Sequence, residues 1–423
     1  VTGVFLYLHQ NRRIAESVLV MSLFKRNRDG MWVGQIELER GPDGKRRKSQ
    51  PVYSADRAEA VKKLEKLKEE VEKGVEQKDR RLTVKVYIET WIEDVTKTRL
   101  RPHVWRSYRS AIRTRIVPSI DGRRLEALSP DDVRNMHKWI LAASNGRGGT
   151  YTTRSVEEAH NVLSAALTDA VSDGKTHRNV CELVSKPQVL SGSHGVLSAA
   201  QAREVLLAAM RDNDAMVTRW AAGLMLGGRQ GELLGLQWDR VDLEKGTLDL
   251  AWQLEWLPMH KGAKADDPKR FDVRPGFEHT PLWRGAALTR PKTTLSQRII
   301  PIPAPLAAIL TEHRKHAPAN PWNLVWVTVP TEKSRRKIST PVSDNADRDG
   351  WAAALARAGA PKVKVHAMRD TTVTLLMEAG VDARIIQAIL GHSNVVTTRG
   401  YQHVDLAAAR KSLGNLDALL APT

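Results

Sequence analysis

Cysteine is nearly missing from this chain. Cys181 is the only one in 423 residues, which excludes an internal disulfide and any multi-cysteine zinc site. It reads as an inert thiol near a linker in a protein of a reducing compartment. Long apolar runs are also lacking: none approaches the roughly 20 residues that a bilayer-spanning helix needs. The apolar patch from Val4 to Leu8 is short and precedes Arg12 and Arg13, whereas a secretory signal places its basic residues first. Acidic residues are scarce relative to basic ones. Forty-eight Asp and Glu against 66 Lys and Arg leave a net charge of +18 and a pI near 10.0. Neutralising phosphates releases condensed counterions, so such an excess favours a polyanionic partner. Charge kept for solubility alone is the other reading of the same numbers. No clustered Asp, Glu and His set shows metal-ligand spacing, so no metal site is expected.

Enough apolar residues (41%) remain for each of two or three domains to bury a core. Residues 1–20 are expected to be a dispensable extension, because Met21 to Arg26 reads like a natural start. Residues 31–38 alternate apolar and polar side chains, the period of a half-buried strand. A turn at Gly41-Pro42-Asp43-Gly44 and the basic run Lys45-Arg46-Arg47-Lys48 lead into a second extended run ending near Tyr53. Val61, Leu64, Leu67 and Val71 then recur at helical spacing until Gly74. Residues 21–80 therefore read as a small β-sheet plus one helix, and residues 82–185 as an all-helical unit. In that unit one helix carries Val84 to Ile92, and a second, after Pro102, carries Trp105, Tyr108, Ile112 and Ile116, with Pro118 beyond its end. Ser129-Pro130-Asp131-Asp132 is a strong start for a third helix, burying Val133, Met136, Ile140 and Leu141. A fourth follows through Val156, His160 and Leu163. Lys97, Arg99, Arg101, His103, Arg106, Arg109 and Arg113 crowd the approach to the second helix, which taken alone reads as a solvated face. Residues 186–195, rich in Ser, Gly and Pro, read as a linker.

The remaining residues carry the chemistry. Trp220 to Leu226 is an apolar helix that stops at Gly227-Gly228, and Arg229 follows with Glu232 one turn on. Alone, this arginine is an ordinary ion-pair partner of Glu232. A hairpin over residues 241–250 expects its third strand only at Arg298 to Pro303, because Trp252 to about Leu288 intervenes. That insertion reads as an extra loop or hairpin, lying over a bound nucleic acid or toward a neighbouring subunit. Lys292 lies just before the third strand, in Thr289-Arg290-Pro291-Lys292-Thr293-Thr294, while Lys261, Lys264 and Lys269 sit in the insertion. His366 and Arg369 are three apart, so neighbours on a helix face. A last helix, Ala383 to Leu390, ends at Gly391; His392 follows, and Tyr401 comes nine residues later. Cutting a phosphodiester with a side-chain nucleophile needs fixed positive charge, proton donors and acceptors, and a hydroxyl that can hold the phosphoryl group.

In this order and these settings, Arg229, Lys292, His366, Arg369, His392 and Tyr401 resemble the catalytic set of the tyrosine recombinases, the phage-integrase family. The resemblance is detailed over roughly 196–405 and covers the amino-terminal half only in arrangement. It implies a multidomain α+β protein. Its parts would be a small sheet-plus-helix domain binding arm-type DNA, an all-helical core-binding (SAM-like) domain, and a mixed, mostly helical catalytic domain. Residues 406–423 would be an apolar tail exchanged between protomers. The implied activity is site-specific recombination through a 3′-phosphotyrosine. Arg229 and Arg369 would clamp the phosphate, Glu232 orient Arg229, and His392 donate to a non-bridging oxygen. His366 would assist proton transfer from Tyr401, the nucleophile, while Lys292 protonates the leaving oxygen. Many relatives carry histidine where this chain has Asp370. No cofactor, metal or ATP is implied. Lys45, Arg46, Arg47 and Lys48 would touch arm DNA, and Arg99, Arg101, Arg106 and Arg109 core DNA. The partners implied are double-stranded attachment sites, a homotetramer on synapsed DNA and a directionality factor for excision. The place implied is the nucleoid of a bacterial host's cytoplasm, with no membrane role. Two other classes fit parts of the pattern: a type IB topoisomerase, and a non-catalytic DNA-binding regulator on the same scaffold.

Overall fold

The computed structural model describes residues 21–38, 47–49, 51–72, 82–120, 122–188, 195–291, 297–332, 337–391 and 406–417. Residues 1–20, Lys45, Arg46, Lys292, His392 and Tyr401 lie outside the described residues. The chain divides into two compact units, 1–190 and 191–423. The sheet-plus-helix and all-helical segments both fall in the first. Among the described residues no helix is long and apolar enough to cross a membrane.

In the first unit the strands are β1 (Met21–Lys25), β2 (Trp32–Leu38), β3 (Arg47–Lys48) and β4 (Val52–Ser54). β2 is central and antiparallel to the others, with β1 on one edge and β3 and β4 on the other. β1 was not expected from the sequence, since Met21, Leu23 and Phe24 break the alternation that marks a strand. The turn through Gly30 (φ 68°) delivers β1 to β2. Helix α1 (Arg57–Glu72) covers the sheet with Ala60 and Leu64. Gly34 permits its approach, because a Cβ there would come within 3.2 Å of Leu64.

The helical part runs α2 (Val84–Thr90), a π-helical turn (Trp91–Thr96), α3 (Lys97–Arg99) and α4 (Pro102–Ala111). A second π-helical turn (Ile112–Ile116), α5 (Val117–Ile120), α6 (Pro130–Ala142) and α7 (Thr153–Ser172) complete it. Pro118 lies inside this helical run, not beyond it. A proline clashes with the carbonyl four residues back, and the π turn just ahead, closed by Val117 N–H donating to Ile112 O, widens the helix there. Ser129 caps α6 as expected, and the return bond from Asp132 to its backbone completes a capping box. Leu141, expected in the core, is 41% exposed, because Val133, Met136 and Ile140 already fill the inward stripe and the next position points away. His137 Nε2 and His160 Nδ1 meet at 3.1 Å between α6 and α7. Burial first, then His137 and Lys186, hold the His160 imidazole down to about 4. Burial pushes the Cys181 thiol up to about 12, an inert setting.

In the second unit α8 (Ala199–Arg211), α9 (Val217–Leu226) and α10 (Gln230–Leu234) precede the sheet of β5 (Val241–Asp242) and β6 (Thr247–Asp249). The insertion contributes β7 (Gln253–Trp256), β8 (His279–Pro281) and β9 (Ala286–Thr289), before β10 (Ile299–Pro301) closes the first sheet beside β6. The insertion is thus more than a loop or hairpin. β9 pairs with both β7 and β8 in a second antiparallel sheet, over a small core of Leu257, Phe271, Phe277 and Ala287. Then come α11 (Ala304–His316), the paired strands β11 (Val327–Thr328) and β12 (Thr340–Pro341), α12 (Asp344–Arg357), α13 (Ala367–Glu378), α14 (Ala383–Leu390) and α15 (Leu406–Gly414). Trp220, Trp326 and Trp351 are fully buried in one core that also takes in Leu233, Ile300, Leu376 and Leu390. α15 folds back on its own unit, burying Ala409 and Leu413 in that core.

Candidate active site

Helix α9 ends because Gly227 adopts a left-handed φ of 59°. That glycine is required twice over, since a Cβ would come 2.4 Å from Leu390 Cδ2. The chain turns there and presents Arg229 at the start of α10. Arg229 Nη1 donates to Glu232 Oε1 at 2.6 Å, its backbone N–H donates to Glu232 Oε2 at 3.0 Å, and Nη2 donates to Gly391 O at 3.0 Å. Glu232 is fully buried and holds the guanidinium on both the main-chain and side-chain side.

Arg369, on the first turn of α13, is 2% exposed. Its Nη1 donates to Gly227 O at 2.8 Å and its Nη2 to Leu390 O at 2.9 Å. Burial, then Arg229 and Arg298, push this guanidinium down to about 10, still charged at neutral pH. Their mutual influence places the two expected phosphate-clamp arginines in one site. His366 stands exposed at the amino-terminal boundary of α13, one turn before Arg369.

A third arginine belongs to this site and was missed as a site residue. Arg298, 6% exposed, donates from Nη2 to Glu232 Oε2 at 3.1 Å and from Nε to Ile389 O at 2.6 Å. Burial alone would raise the Glu232 carboxyl, but Arg298 and Arg229 overcome it and hold it below the ordinary carboxylate range. The sequence signal was slight: a basic residue immediately ahead of a strand whose Ile300 is buried. Behind α10, Arg219 pairs with Asp347 at 3.1 Å, and Gln230 Nε2 donates to the same carboxylate oxygen at 2.9 Å.

The structure therefore brings Arg229, Glu232 and Arg369 together and adds Arg298. Of the expected DNA-binding residues, Lys48, Arg99, Arg106 and Arg109 are exposed on the first unit and Arg101 is half-buried. Arg99 pairs with Asp169 at 3.0 Å and Arg109 with Glu93 at 3.3 Å. Lys97 and Arg109 lie over the Trp105 ring at 5.4 and 5.1 Å.

Clustered guanidinium groups around an oriented carboxylate form a site that holds an anion such as a phosphodiester. Comparison with known proteins agrees with that chemistry. Residues 281–407 match the model of the phage integrase family, and residues 83–140 match the phage integrase N-terminal SAM-like domain. An integrase of Saccharopolyspora erythraea is 24% identical over 416 residues, covering 89% of this chain and 91% of that protein. Two solved structures share the fold. The Tn1549 transposon integrase with transposon right end DNA has a TM-score of 0.57 at 19% identity, over 79% of this chain and 100% of that one. A lambda integrase tetramer bound to a Holliday junction has a TM-score of 0.53 at 15% identity, over 89% and 93%. The chain is similar to the phage integrases over both matched segments, and it is a tyrosine recombinase. It is a site-specific DNA recombinase.

Proposed function

We propose that this recombinase cuts and rejoins DNA with Tyr401 as nucleophile, in a site built on Arg229, Arg369 and Glu232. The Tyr401 hydroxyl oxygen attacks phosphorus, the bond to the 5′ oxygen breaks, and a 3′-phosphotyrosyl bond forms. The tyrosine proton leaves with the help of His366, and Lys292 gives a proton to the departing 5′ oxygen. Arg229, Arg369 and His392 stabilise charge on the non-bridging oxygens, which is worth most where donors are fixed before reaction. Because the phosphotyrosyl bond conserves the linkage, a 5′ hydroxyl from the partner strand reverses the step without ATP. The observation that carries this reading is the meeting of Arg229 and Arg369 about Glu232 and the end of α14.

On this reading residues 21–80 hold arm-type DNA, 82–185 grip the core site, 186–195 link and 196–405 catalyse. The 406–423 tail, which packs Ala409 and Leu413 on its own unit in the single chain, would have to leave that seat to pass to a neighbouring protomer on assembly. Four chains act on two synapsed sites, an assembly supported by the tetramer of the lambda integrase structure. Excision would take a separate directionality factor, and the work would be done on a bacterial nucleoid.

The test is covalent trapping on nicked suicide DNA carrying candidate attachment sites. Wild type should give a denaturant-resistant adduct that Tyr401→Phe does not, while both bind the site. Binding by wild type without any adduct, on a site known to recombine in cells, would sink the proposal in favour of a regulator.

A further inference from the structure

The last carbonyls of a helix have no partner within it and lie at the negative end of its dipole. At the end of α14 three such carbonyls in succession are each taken by a different arginine. Ile389 O accepts from Arg298, Leu390 O from Arg369 and Gly391 O from Arg229. The next residue in the chain is His392. Of the three, Arg369 and Arg229 have roles in the proposed reaction and Arg298 has none. Yet Arg298 joins the buried Glu232 to the last turn of α14, through donors 3.1 Å from the carboxylate and 2.6 Å from the Ile389 carbonyl. Gly391 (φ 66°) lies flat against it, since a Cβ there would come 3.0 Å from Arg298 Nη1.

We propose that Arg298 is a positioning residue for cleavage: it fixes Glu232, and through it Arg229, in register with the end of α14 that leads into His392. It touches no reacting atom. Its planar fork reaches two partners on two elements at once, which a single ammonium cannot do. Glu232 is faced by Arg229 at the start of α10, Arg298 ahead of β10 and Arg369 on α13. Without Arg298 the carboxylate keeps its burial and loses one of its two guanidinium partners, so its protonation moves upward and the hold on Arg229 becomes sensitive to pH.

This inference rests on the proposed phosphotyrosine reaction, and the experiment separates the two. Full-length wild type, Arg298→Gln and Arg298→Lys are compared for core-site binding, urea unfolding and single-turnover adduct formation across pH. For Arg298→Gln, binding should stay within about threefold while adduct formation falls roughly a hundredfold, the scale of a misplaced catalytic group. Its rate should also fall toward acid pH more steeply than that of wild type. Glu232→Gln added to Arg298→Gln should remove that extra slope, and Arg298→Lys should recover part of the rate. If Arg298→Gln does not fold, the comparison of Arg298→Lys with wild type decides. A rate within about threefold of wild type, or a fall matched by equal loss of binding or folded protein, overturns the inference alone. A wild-type chain that forms no adduct overturns the phosphotyrosine reading and the inference with it.

Discussion

Arg369 shows how much one buried side chain can tie together. Its two nitrogens hold the carbonyl that ends α9 and the last carbonyl of α14, 142 and 21 residues away in sequence. A lysine in its place presents one compact charge and cannot span both. Arg369→Lys should therefore leave one buried carbonyl unmet, lowering stability by about 1–3 kcal/mol, and should abolish adduct formation. Urea unfolding and suicide-substrate trapping read the two effects, and an unchanged midpoint would refute the bridging role. The charge itself does not switch in the working range. For a base whose folded value is about 10, below its ordinary value, the unfolded chain holds the proton more tightly. Burying the charge thus costs stability below about 10, and the cost is relieved only as pH rises through 10 toward the ordinary arginine range. The pH dependence of cleavage near neutrality accordingly belongs to other groups.

At the scale of elements, the insertion is joined to the site rather than appended to it. β7 lies directly against α10, the helix that begins after Arg229. A Cβ on Gly235 would come 2.6 Å from Leu254 N and 2.9 Å from the Gln253 carbonyl carbon. Both are backbone atoms, so no rotamer change relieves the clash and strand and helix must separate. Gly235→Ala should cost about 1–3 kcal/mol as an overpacked contact and reduce cleavage by shifting α10. Equal urea midpoints for variant and wild type would show that the two elements slide freely. None of this packing was legible in the sequence. What was legible had local physical signatures: Ser129 as the cap of a helix opened by Pro130 and two acids, Gly227 as a helix stop, and the Arg229 and His366–Arg369 strings at the starts of their helices. The order of those strings identified the family, and the mixed α+β architecture followed from it. Arg298 escaped because its partners, Glu232 and Ile389, lie 66 and 91 residues away. Pro118 misled because a proline signals a helix end unless a π turn makes room for it. Leu141 misled because apolar character says nothing of a face already filled.

For the whole molecule, charge governs the approach to DNA. An excess of +18 makes binding steeply dependent on salt, because each phosphate neutralised releases counterions. The arginines of the helical segment are not all presented alike. Arg99 and Arg109 face Asp169 and Glu93 at 3.0 and 3.3 Å, so each must leave a carboxylate before it can meet a phosphate. Exposed pairs of this kind are worth only about 0.2–1 kcal/mol, a barrier that a phosphate lattice readily overcomes. On the proposed reading both arginines therefore change partners when the core site binds. Replacing both by glutamine should flatten the plot of log affinity against log salt by about 1.8, or 0.9 for each phosphate no longer neutralised. Adduct formation at saturating protein should stay close to wild type, because neither residue belongs to the catalytic unit. Filter binding on one core-site duplex over a range of salt measures the slope. An unchanged slope with unchanged affinity would mean that the two arginines stay with their carboxylates and that the helical segment grips DNA by another surface.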